Sequence, residues 1–103
     1  MSYIVEQTVY EVGINFLTNC PNVTEQKILY VGGKCLFVSG LDPVWGTESE
    51  STLYLSLKES FDPSKVLSSN THTVWTDNKE KAEQYASEMN NVLNLRSKIS
   101  KTA

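Results

Sequence analysis

The chain has 103 residues, with twelve Asp or Glu against nine Lys or Arg and a net charge of −3. That length supports one domain over residues 1–103 with a single unstapled core. The mild negative charge and the single Arg, Arg96, argue against a phosphate-rich partner, and no apolar run approaches the ~20 residues of a membrane helix, so neither direct nucleic-acid binding nor membrane insertion is expected.

Residues 3–12 carry Tyr3, Ile4, Val5, Thr8, Val9, Tyr10 and Val12, a β-branched and aromatic density that favours a strand. Val5, Val9, Val12 and Phe16 also fit one face of a helix, so helix stays open as the alternative. Gly13 is the expected place for a bulge, with Ile14 to Leu17 continuing the strand. Thr18-Asn19-Cys20-Pro21-Asn22 reads as a turn. Lys27-Ile28-Leu29-Tyr30-Val31 and Lys34-Cys35-Leu36-Phe37-Val38 then flank Gly32-Gly33. Two glycines tolerate positive φ, which predicts a tight hairpin with a primed turn. Both arms are almost continuously apolar, as in strands buried on both faces or strands that keep an outer face for a partner.

Residues 40–51 read as a long loop, Gly40-Leu41-Asp42-Pro43-Val44-Trp45-Gly46-Thr47-Glu48-Ser49-Glu50-Ser51. Loops of that length tend to be functional. Residues 52–58 alternate, with Leu53, Leu55 and Leu57 inward and Tyr54, Ser56 and Lys58 outward, and predict a strand. Asp62 and Pro63 predict a capped helical turn through Leu67, and Ser68-Ser69-Asn70 a loop. Residues 71–75 form the expected last strand. Asp77 and Glu80 fit a variant capping box opening a helix of about 20 residues. Its apolar face carries Ala82, Tyr85, Ala86, Met89, Val92 and Leu93 at helical spacing, and its polar face Lys81, Gln84, Ser87, Glu88, Asn91 and Asn94. The expected fold is α+β, an antiparallel sheet of four or five strands with the long C-terminal helix packed on one face.

Catalytic chemistry finds little footing. His72 is the only histidine and stands in no nucleophile motif. Cys20 and Cys35 lack metal-ligand spacing, so no metal and no cofactor are expected. Gly32-Gly33-Lys34 lacks the phosphate-loop pattern. No secretory leader pattern precedes the first strand, which predicts a cytoplasmic protein with both thiols reduced. Trp45 either caps the end of the core or stands out as an aromatic anchor, the residue type enriched at binding hot spots. Tyr54 and Trp75, with other aromatics, are candidates for a stacking pocket that takes a nucleotide signal.

The stretch Val74-Trp75-Thr76-Asp77-Asn78-Lys79-Glu80-Lys81-Ala82, behind a β-rich front, resembles the ends of small accessory proteins of bacteriophages. The resemblance implies a stoichiometric role, such as blocking a host or immune enzyme or sequestering a signalling nucleotide. The expected function is therefore non-catalytic. An inhibitor or adaptor would act through a protein surface, with Trp45 as anchor and Asp42, Glu48 and Glu50 as an acidic rim for a basic partner. A nucleotide-sequestering protein and a structural or assembly subunit stay open as alternatives, and so does a homo-oligomer.

Overall fold

The computed structural model describes residues 3–15, 17–42, 45–68 and 72–102. Its elements are β1 (Thr8–Asn15), β2 (Cys20–Val31), β3 (Cys35–Leu41), β4 (Glu48–Tyr54), a 3-10 turn (Leu55–Leu57), α1 (Pro63–Ser68), β5 (Thr73–Thr76) and α2 (Lys79–Thr102). The five strands form one antiparallel sheet in the order β4-β3-β2-β1-β5, and α2 packs across β5, β1 and β2. The fold is thus α+β with the long C-terminal helix on the sheet. Phe16, Pro43, Val44, Ser69, Asn70 and Thr71, which the sequence places in strand, loop and turn, lie outside the described residues.

The sheet separates two cores. Val9, Ile28, Leu36, Val38, Leu53 and Trp75 gather on its inner face, with Tyr3 and Leu55 against them. Val12, Val74 and Val66 meet Ala82, Met89 and Leu93 of α2 on the other, the helix face. Strand alternation explains the division, since Val9 and Val12 are three residues apart and so point to opposite faces.

Several local expectations are corrected. The β1–β2 ladder runs unbroken through Gly13, which pairs with Asn22 on one side and Thr73 on the other. The irregularity falls instead at Leu29, between the pairs Ile28–Val38 and Tyr30–Phe37. That one extra residue moves Tyr30 to the helix face and so breaks the alternation of the arm. Cys20, Pro21 and Asn22 are strand, not turn. Pro21 is tolerated because β3 reaches only as far as Gln26, so one side of β2 is an edge there. Among the described residues no glycine of the β2–β3 turn takes a positive φ. The turn closes with the Gly32 N–H donating to the Cys35 carbonyl at 2.8 Å. Glycine suits position 32 for closeness: an added Cβ would lie 3.1 Å from that carbonyl oxygen, a tight contact the turn would have to ease.

The strand expected over 52–58 ends at Tyr54, and Leu55–Leu57 turn as a 3-10 helix. The chain there crosses from one edge of the sheet to the other. The Lys58 backbone lies beside Trp75 as a parallel bridge, and Glu59 N–H donates to the Trp75 carbonyl at 2.8 Å. A flat five-stranded sheet would be about 19 Å wide. Four residues span roughly 14 Å at most. The sheet must therefore curl, with its inner face concave around Trp75. The indole N–H of Trp75 donates to the Tyr54 carbonyl at 2.8 Å, and Tyr3 meets the ring edge-on at 5.8 Å.

The helix cap lies one residue beyond the expected Asp77. Asn78 Oδ1 accepts from the Lys81 N–H at 3.2 Å, while Asp77 pairs with Lys58 at 3.4 Å. Glu59, held at φ 54°, accepts from the Thr76 hydroxyl at 2.7 Å and from Lys81 Nζ at 3.0 Å. Those two bonds hold its carboxyl below the usual range and tie the crossing segment to the start of α2. Asp62 caps α1 as expected, accepting from the Ser64 N–H at 3.0 Å.

Candidate protein-docking surface

Among the described residues α2 covers β5, β1 and β2, and no element packs over the helix-face side of β3 and β4, where Phe37, Leu41 and Tyr54 are exposed. The pairing sets the residues there. Leu41 lies opposite Glu48, Ser39 opposite Glu50, Phe37 opposite Thr52 and Cys35 opposite Tyr54, and Tyr30 joins Phe37 from β2. Tyr30, Phe37, Leu41 and Tyr54 are all exposed, with the Tyr30 and Phe37 rings 5.8 Å apart. An aromatic end thus grades into an acidic end on one continuous sheet face.

The expected long loop over 40–51 is shorter. β3 runs to Leu41 and β4 starts at Glu48, so Glu48 and Glu50 stand on a strand. Asp42 holds the remaining loop together. Its N–H donates to the Thr47 carbonyl and its carbonyl accepts from the Gly46 N–H, both at 2.8 Å. Its Oδ1 accepts from the Trp45 N–H at 3.0 Å. Gly46 takes φ 69°, a conformation glycine adopts without strain. The Asp42 carboxylate is thereby turned to its own loop and positions Trp45. The Trp45 residue is 72% exposed, so it does not plug the core.

Trp75 is placed differently. It is 1% exposed on the inner face, while Tyr54 opens on the helix face, so the sheet lies between their rings. The structure sets Tyr54 on the same sheet face as Phe37, with Glu50 and Glu48 further along β4, and leaves Trp75 in the core. His72 is buried too. Its Nε2 accepts from the Asp62 N–H at 3.1 Å and its ring meets Phe61 at 5.8 Å, which makes it a structural link between α1 and β5. Burial lowers its pKa. Cys20 and Cys35 are both free thiols. Among the described residues no group of metal-ligating side chains converges and no helix is long and apolar enough to cross a membrane.

A polar group on the inner face has no counterpart in the sequence reading. Gln26, buried on β2, donates through Nε2 to Glu11 Oε1 at 3.1 Å. Burial raises the Glu11 pKa, and the bond from Gln26 offsets part of that rise. A carboxyl whose folded pKa lies above its unfolded value binds more protons folded than unfolded, so it costs stability as pH rises between the two. The Glu11→Gln variant is therefore expected to melt like the parent near pH 4 and above it by pH 8. Melts that diverge instead at low pH, or a variant that is less stable at pH 8, would contradict this account of Glu11.

The geometry defines a small α+β domain that presents an open, aromatic and acidic sheet face beside an exposed tryptophan. No family model, no curated protein and no solved structure matches the chain.

Proposed function

We propose that this is a non-catalytic binding protein, an inhibitor or adaptor, that docks a partner protein with a basic surface on the uncovered half of its sheet. The observation that carries the reading is Trp45, exposed on a loop whose backbone Asp42 pins at the acidic end of the face that carries Phe37 and Tyr54 further along. A loop backbone already held in place loses less conformational freedom on binding, and the exposed indole offers its area to a partner. Glu48 and Glu50 supply the charge that steers a basic partner. The reading extends to a phage-encoded inhibitor of a host or immune enzyme, on the resemblance of the Val74–Ala82 stretch alone. It places the protein in the cytoplasm, where Cys20 and Cys35 stay reduced.

The test is a partner captured from a bacterial lysate and then measured with purified components. Trp45→Ala is expected to weaken that binding by about 2 kcal/mol, roughly thirtyfold, with the melting temperature unchanged. Glu48→Lys with Glu50→Lys is expected to slow association and flatten its salt dependence. Equal affinity for parent and Trp45→Ala would remove this surface from the interaction.

A further inference from the structure

The two edges of the sheet differ. The β5 edge is covered by the crossing segment, with Lys58 alongside Trp75 and Glu59 bonded to its carbonyl. The other edge is β4, and no described element pairs with it.

The hydrogen bonds at both ends of β4 fix which of its residues face outward. Asp42 N–H donates to the Thr47 carbonyl at 2.8 Å, and Leu55 N–H to the Lys34 carbonyl at 2.9 Å. In an antiparallel pair, the residues that exchange hydrogen bonds recur at every second position. Counting inward from either end gives the same phase. Ser49, Ser51 and Leu53 direct their N–H and C=O groups at Gly40, Val38 and Leu36, while Glu48, Glu50 and Thr52 turn theirs away from β3. The same three residues point their side chains to the uncovered face, beside Tyr54. The Tyr54 carbonyl is already taken by the Trp75 indole, which ends the open stretch at Thr52.

We propose that β4 accepts an extended segment of the partner as a sixth strand, with Lys or Arg at the two alternate positions that face Glu48 and Glu50. Main-chain bonds to Glu48, Glu50 and Thr52 supply the register, and the two carboxylates supply the selectivity. A second copy of this chain is a poor occupant. Two-fold pairing about Ser51 sets Glu50 diagonal to its own copy, and like charges at that spacing repel. A basic strand meets no such penalty. This inference rests on the docking face proposed above, and names how the partner is held there.

The probe is a short synthetic peptide alternating Lys with Val, added to the full chain, with amide hydrogen exchange read residue by residue. Binding is expected to slow exchange at Glu48, Glu50 and Thr52. A peptide with Glu in place of Lys is expected not to bind. N-methylation of the Lys peptide at alternate backbone nitrogens, in the phase that faces β4, is expected to weaken binding roughly tenfold or more, as backbone hydrogen bonds are lost. Thr52→Pro removes an outward N–H that the sheet does not use, so it should keep the fold and lose the peptide. Binding without new protection at those three amides, or binding indifferent to N-methylation in either phase, overturns the added strand. So does protection that grows with protein concentration in the free chain, which would assign the edge to self-association. A captured partner that is sensitive to Trp45→Ala but indifferent to Thr52→Pro would retain the docking face and remove the strand. A peptide that adds as a strand while Trp45→Ala leaves the captured partner unaffected would do the reverse.

Discussion

Replacing Trp75 by Ala is expected to cost about 3–5 kcal/mol, a large share of the roughly 5–15 kcal/mol that holds a domain of this size together. The ring is 1% exposed and packs among Val9, Ile28, Leu36, Val38 and Leu53. It is also where the two ends of the curled sheet meet, through its indole N–H on the Tyr54 carbonyl and its own carbonyl on Glu59. Ala would leave a cavity that the surrounding strands cannot collapse into without opening the curl. Trp75→Phe separates the two contributions. It keeps most of the apolar volume and loses the indole bond, with an expected cost nearer 1–2 kcal/mol. Urea titration of the three proteins measures both numbers. If Ala and Phe destabilise equally, the hydrogen bond and not the packing closes the sheet. If both are neutral, the inner core is not organised around this ring.

Met89→Asp is expected to abolish most of the folded population. Met89 is fully buried between α2 and the sheet, with Val12, Val66, Val74, Ala82 and Leu93. A carboxylate there has no partner among these apolar neighbours. The penalty adds to the lost burial and the total exceeds about 4 kcal/mol. Asn91→Asp, two residues on and exposed, is expected to shift stability by less than about 0.5 kcal/mol. Circular dichroism melts of the pair give the comparison. Two similar melts would mean that α2 does not bury the face described here.

The helix was legible because its signal is periodic and local. Ala82, Met89 and Leu93 recur at helical spacing, and all three are buried. Its cap lies one residue past Asp77 because Asp77 is drawn off by Lys58, which is distant in sequence and near only after the crossing segment has folded back. Both ends of β4 depart from the local pattern for the same kind of reason. Glu48-Ser49-Glu50-Ser51 carries no apolar alternation, since one of its faces is uncovered, and only the ladder to β3 makes it a strand. Leu55 and Leu57 continue the alternation of Leu53, yet the chain must leave the strand there to reach Trp75. At the candidate surface, Trp45, Glu48 and Glu50 were visible as residue types in an acidic stretch. The apolar hairpin arms hinted at an outer face, but placing Tyr30 on it depends on the irregularity at Leu29, which no local pattern announces. The separation of Tyr54 from Trp75 follows from register, and register is not written in either residue. Nor did the sequence give any sign that Glu11 would be desolvated, since a Glu between Tyr10 and Val12 looks like the exposed member of an alternating strand.

The strand order has a consequence for how the chain is made. β1 is the second strand from one edge and pairs on that side with β5, Tyr10 against Thr76. The β1–β2, β2–β3 and β3–β4 pairs join neighbours in sequence and close quickly, whereas β1 must wait for a segment from the far end of the chain. On a translating ribosome β1 therefore emerges with one side unsatisfied, and it stays so until β5, about 60 residues further along, has been synthesised. Val12, whose burial depends on Val74 and the helix behind it, is solvent-facing for that whole interval. The nascent meander is the species that aggregation or a chaperone would meet, and β5 with α2 is the late-arriving cover that ends its exposure.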